Sequence, residues 1–105
     1  MKKKIKVLSK EEIISLLNKH REELKKYKVK RIGLFGSFVR GKQTAKSDID
    51  FFVEFEEPIF DNFIGLSNFL EKLFKRKVEI LTPAGLESIR IEHIKEEIKR
   101  TIYYV

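Results

Sequence analysis

An α+β (or α/β) fold, a small mixed β-sheet with helices packed on it, is predicted by three features of this sequence. Apolar and polar residues alternate over 48–55, the period of a half-buried strand. In three other stretches apolar residues recur at three- and four-residue spacing, as in helices laid on a sheet. The chain has 105 residues, 42% of them hydrophobic, which suits one core and leaves no room for a second module. Residues 1–105 therefore read as a single domain.

The elements follow in order. Ser9 with Glu12 forms a capping box that opens a helix. Ile13, Leu17, Leu24 and Tyr27 then share one face, with His20 on the same stripe, so the helix is predicted over 10–26. Val29 to Phe35 is β-rich and ends at Gly36, which makes it the first strand. Residues 36–47 form a loop with space for a helical turn after Ser37; its length, about twelve residues, exceeds that of a tight hairpin. The second strand runs from Asp48 to Phe55, with Ile49, Phe51, Val53 and Phe55 on one face and Asp48, Asp50, Phe52 and Glu54 on the other. Pro58 stops it. Asp61 is the expected cap of a helix carrying Phe63, Leu66, Leu70 and Leu73, whose stripe Phe69 and Phe74 widen. Lys77 to Leu81 is a third strand, ended by Pro83, and a last helix is predicted over 91–103 on Ile91, Ile94, Ile98 and Ile102. The order is α-β-(turn)-β-α-β-α.

Composition narrows the function. The absence of cysteine excludes a disulfide framework and a thiolate metal site. No run reaches the roughly 18–20 apolar residues of a membrane span, and no apolar segment follows Lys2 to Lys6 as it would in a signal peptide. The expectation is a cytoplasmic protein with no membrane partner. A net charge of +7 fits either a polyanion partner or a solvated, Lys-rich surface, and the densest cluster is Lys2-Lys3-Lys4. No DNA-reading helix or aromatic-basic strand motif accompanies that charge, so nucleic acid is not an expected partner. His20 reads as a packed or boundary residue, His93 as a solvated one, and the two lie too far apart in sequence for a zinc pair. Tyr103 and Tyr104 read as cover for the core. Phe60, Phe63, Phe69 and Phe74 give one helix more apolar surface than a single core contact uses, which leaves a homo- or hetero-oligomeric interface open.

The chemistry concentrates in Gly36-Ser37-Phe38-Val39-Arg40-Gly41, a short polar linker, and Ser47-Asp48-Ile49-Asp50. If the first two strands are antiparallel neighbours, Gly36, Ser37 and Asp48 meet at one edge of the sheet. Asp48 and Asp50 then leave the same face, their Cα atoms roughly 6–7 Å apart at about 3.3 Å per residue. Two carboxylates at that spacing can share a hard cation of the Mg²⁺ type, which keeps space for water and substrate phosphates. Gly36 lets backbone approach a ligand, and the N–H groups after Ser37, with its hydroxyl, can hold phosphate oxygens. Arg40, Lys42 and Lys46 add positive charge. Alone, Gly-Ser is an ordinary turn and Asp-Ile-Asp an ordinary start to a strand. Combined, they form a phosphate cradle beside a metal pair.

This constellation resembles the signature of minimal nucleotidyltransferases of the DNA polymerase β superfamily. More narrowly, it resembles the small MNT-type proteins encoded beside HEPN-domain proteins. The resemblance implies a polymerase β-like palm and transfer of AMP from ATP, with Mg²⁺, to a protein hydroxyl. By that likeness the acceptor is a tyrosine of a cognate HEPN toxin, and this chain is the antitoxin. Gly36, Ser37, Arg40, Lys46 and Ser47 are the implied nucleotide-binding residues. Asp48, Asp50 and Glu79 are the implied metal ligands and catalytic residues. Glu79, in Val78-Glu79-Ile80, stands where the family has Asp, one methylene shorter. A displacement of about 1 Å can cost on the order of 10²-fold in rate. That departure and the surplus phenylalanines keep an alternative open: an antitoxin that neutralises its partner by binding alone, over a vestigial site.

Overall fold

The computed structural model describes residues 8–105; the Lys2-Lys3-Lys4 cluster lies outside them. The capping box forms as expected. Glu12 N donates to Ser9 Oγ at 3.1 Å, and Ser9 N donates to Glu12 Oε1 at 3.2 Å. The helix it opens is broken in two, α1 (Lys10–Lys19) and α2 (Arg21–Lys26), where one was expected over 10–26. The break is at His20, whose amide is shared between the carbonyls of Leu16 (3.2 Å) and Leu17 (3.1 Å). Leu17 O is the acceptor that Arg21 would use in a continuous helix. The His20 ring meets Leu16 O through Nδ1 at 2.8 Å and packs 5.9 Å from the Phe69 ring, as befits a boundary histidine.

Strands β1 (Val29–Phe35) and β2 (Ile49–Phe55) pair antiparallel. Between them lies the helical turn α3 (Ser37–Arg40). Helix α4 (Phe60–Phe74) crosses over to β3 (Val78–Leu81), which runs parallel to β2. The expected Asp61 cap is not used. The N-cap is Ile59, whose carbonyl accepts from Phe63 N at 3.2 Å, so the first turn closes before Asp61 can cap it. Asp61 instead lies in that turn, where a negative charge suits the helix dipole.

The C-terminal part departs furthest from expectation. Pro83, read as a strand stop, also starts α5 (Pro83–Glu87) behind a Thr82 cap that accepts from Gly85 N at 3.2 Å. The last helix, α6 (Glu92–Thr101), is shorter than predicted because Ile102 turns to extended backbone (φ −61°, ψ 127°). The next two residues form β4 (Tyr103–Tyr104), antiparallel to β1. The sheet order among the described residues is β3-β2-β1-β4. Gly33 makes room for the last strand: a Cβ there would lie 2.8 Å from Ile102 Cγ2 and 2.9 Å from Tyr103 O. Two residues of pairing carry no period that sequence reading could detect.

One face of the sheet holds the core. Ile32, Leu34, Ile49, Phe51 and Val53 pack there against Ile13 and Leu17 of α1 and Leu66 and Leu70 of α4. The opposite face is thinner. Phe52, expected on the polar side of β2, is only 3% exposed; the edge of its ring meets Tyr104 at 6.1 Å. Leu70 is fully buried. Leu70→Ala should lower stability by about 2–5 kcal/mol, read as a lower urea midpoint with unchanged slope.

Candidate active site

Strand register creates the site. Asp50 on β2 lies opposite Phe35, the last residue of β1, and directly beside Glu79 on β3. After Phe35 the chain turns at Gly36 (φ 76°, ψ −147°), the cap of α3. A Cβ on Gly36 would collide with Asp50 Oδ2. Glycine is therefore required twice over, by its backbone angle and by the carboxylate pressed against its Cα. The α3 turn is closed by Val39 N and Arg40 N on Gly36 O (3.1 and 3.2 Å) and ends at Gly41 in the left-handed region (φ 70°). The amides of Ser37 and Phe38, first in that turn, have no intrahelical acceptor.

Two acids, Glu79 and Asp48, act on Asp50. Burial, then the charges of Glu79 and Asp48, then a hydrogen bond with Glu79 raise its pKa from the ordinary carboxylate range to about 6; the Arg40 charge opposes the rise. Asp48 and Glu79 are themselves exposed. Among the described residues no three acids or histidines stand as a preformed metal cage. That does not conflict with Mg²⁺, which is commonly held by one or two carboxylates plus substrate phosphates rather than by an all-protein cage. The donor set fits such an ion: hard oxygens only, with Asp50 disfavoured as an anion by burial and then by the charges of Glu79 and Asp48.

A cavity of about 320 Å³ opens on the β1 side of Asp50. Phe35, Gly36, Arg40 and Asp50 line one wall, and Ile94, Glu97, Ile98 and Thr101 of α6 line the other. Arg40 Nη1 reaches Glu97 Oε1 at 4.0 Å across it. Of the residues expected at the site, Gly36, Arg40, Asp50 and Glu79 are thus brought together, with Asp48 near enough to act on Asp50. Ser37 stands at the start of the turn. Lys46 and Ser47 lie elsewhere, on an outer turn where Thr44 N donates to Ser47 Oγ at 2.8 Å, and neither lines the cavity.

Sequence reading missed two contributors. Arg76 donates from Nη1 to Ser47 O at 3.2 Å and holds its guanidinium 5.9 Å from the Phe38 ring centre, which links the Asp48 segment to α3. Neighbouring Lys77 O accepts from Ile49 N at 3.2 Å. Nothing in the local pattern singles out Arg76, because both contacts join distant segments. The second is α6, whose isoleucines marked only a helix in the sequence.

An acid-bearing mixed sheet with a Gly-Ser turn against Asp50 agrees with the likeness drawn from the sequence. Residues 17–104 match the family described as nucleotidyltransferase domain, and the chain belongs to that family of enzymes. Among its relatives, the candidate protein adenylyltransferase MJ1379 of Methanocaldococcus jannaschii is 45% identical over 98 residues, covering 90% of this chain and 95% of the relative. Protein adenylyltransferase MntA of Thermococcus cleftensis is 39% identical over 101 residues, covering 94% of this chain and 98% of that protein. Among solved structures, a minimal nucleotidyltransferase superposes with a TM-score of 0.70 at 23% identity, covering 90% of this chain and 94% of the other, a likeness of fold. A toxin–antitoxin solved with AMP-PNP superposes at 0.51 with 28% identity, covering 78% of this chain and 60% of that one.

Proposed function

We propose that this chain transfers AMP from ATP, with Mg²⁺, to a protein hydroxyl, a tyrosine of a cognate HEPN toxin, and so acts as an antitoxin. The observation that carries the reading is the contact of the Asp50 carboxylate with Gly36, with Glu79 and Arg40 on either side. Support comes also from relatives named protein adenylyltransferases and from the AMP-PNP of a similar toxin–antitoxin. Asp48 and Asp50 would hold Mg²⁺, which would supply charge neutralisation at the phosphates.

The chain's own groups divide the remaining work. The amides of Ser37 and Phe38 and the Arg40 guanidinium hold the terminal phosphates. The acceptor oxygen bonds to the α-phosphorus while the bond to the bridging oxygen breaks and pyrophosphate leaves. Glu79, beside Asp50 on the neighbouring strand, stands to take the hydroxyl proton. No helix among the described residues is long and apolar enough to cross a membrane, which suits a cytoplasmic target.

The test uses radiolabelled ATP, Mg²⁺ and the toxin encoded beside this chain. Wild type should label the toxin, and Asp48→Asn with Asp50→Asn should not. Equal labelling by both sinks the proposal. Neutralisation that persists in the unlabelled double variant would favour the binding-only antitoxin instead.

A further inference from the structure

The α6 wall of the cavity beside Asp50 sets Ile94 and Ile98 alongside Glu97 and Thr101, and the placement of those two isoleucines is unexplained by folding. Helix α6 aligns its isoleucines in one row, yet none of its residues is buried. Ile94 is 38% exposed and, with Ile98, faces the cavity across from Gly36 and Arg40. Side chains left this wet contribute little to the core, and a flat apolar ligand laid on them would remove that exposure.

The flank identifies the ligand. Glu79 on β3 stands to one side of Asp50, and Phe35-Gly36 on β1 to the other. An acceptor hydroxyl approaches the β3 flank, where Glu79 stands to take its proton, whereas the cavity lies on the β1 flank. Its occupant is therefore part of the nucleotide. The phosphates are charged and belong with Arg40 and the turn, so the base is the part whose faces suit isoleucine. A volume of about 320 Å³ is at the small end of ligand pockets and takes a base with its ribose. The Arg40–Glu97 pair, at 4.0 Å, ties α6 to the phosphate side of the same cavity.

We infer that Ile94 and Ile98 of α6, facing Phe35, form the nucleobase subsite, an inference that rests on the nucleotide reading above. The experiment titrates the full chain with Mg·ATP and, separately, with Mg·tripolyphosphate, which has phosphates and no base. Ile94→Ser and Ile98→Ser should each weaken ATP binding about tenfold and leave tripolyphosphate binding unchanged. Ile91→Ser, at the N-cap of the same helix and outside the cavity, should change neither. Should a serine variant fail to fold by circular dichroism, Ile94→Val and Ile98→Val carry the test, with an ATP-only loss of up to about fourfold. Unchanged ATP affinity in folded variants, or an equal loss for tripolyphosphate, overturns the subsite alone. A wild-type chain that binds neither ligand overturns the nucleotide reading and the subsite with it.

Discussion

Asp50→Asn is expected to abolish AMP transfer and at the same time to stabilise the free chain at pH 8. The two effects have one origin. Asp50 is held among carboxylates and partly desolvated, which raises its folded-state pKa to about 6 against 3.8 in the unfolded chain. Between those values the folded state binds more protons than the unfolded state, so stability falls as pH rises. The contribution of Asp50 is fully present below about pH 4 and lost above about pH 6. Asparagine carries no charge to desolvate or repel, so the variant should lose this dependence. Because the carboxyl is half exposed, solvent screening limits the gain to a few degrees in Tm. Losing a proposed metal ligand should cost at least about 10³-fold in transfer. Thermal unfolding with EDTA from pH 4 to pH 8 checks the first half, and initial rates check the second. A variant no more stable than wild type at pH 8 would show that neither burial nor the neighbouring acids disfavour the Asp50 charge.

Gly36→Ala should be nearly as damaging to transfer, for a steric reason. The residue sits at φ 76° and ψ −147°, a region almost reserved for glycine, and its new methyl would meet Asp50 Oδ2. Backbone strain of this kind costs about 1–3 kcal/mol, and a displaced Asp50 should cost transfer on the order of 10²-fold or more. Gly41→Ala supplies the contrast. Gly41 also has positive φ (70°), but a Cβ there meets nothing within 4 Å. It should lose about 1–2 kcal/mol of stability and keep its transfer rate. Urea unfolding and initial rates on both variants separate strain from collision. Equal activity in the two would mean that the Gly36–Asp50 contact does not matter to catalysis.

Much of this was legible from one dimension because the signals are short-range. Ser9 and Glu12 announce a helix start through hydrogen bonds three residues apart, and that capping box is formed. The alternation through Ile49, Phe51 and Val53 marks a strand, and those residues are fully buried. Proximity in sequence also picked out the pair Asp48 and Asp50 and the Gly36-Ser37 turn. Signals with two meanings misled: Pro83 ends one element and begins another, and Asp61 lies in a first turn that Ile59 caps. His20 breaks a helix through a shared acceptor that no apolar period reveals.

Residue order was enough to specify most of the elements, the acids and the family likeness, because each depends on groups within a few positions of one another. Which groups meet was another matter. Asp50 faces Phe35, touches Gly36 and stands beside Glu79 through strand register, and register is set by how both faces of β2 bury against α1, α4 and the C-terminal segment. The same long-range packing lays α6 across the cavity and brings Arg76 to Ser47. Such contacts draw their energy from the whole core, so no local stretch of chain encodes them.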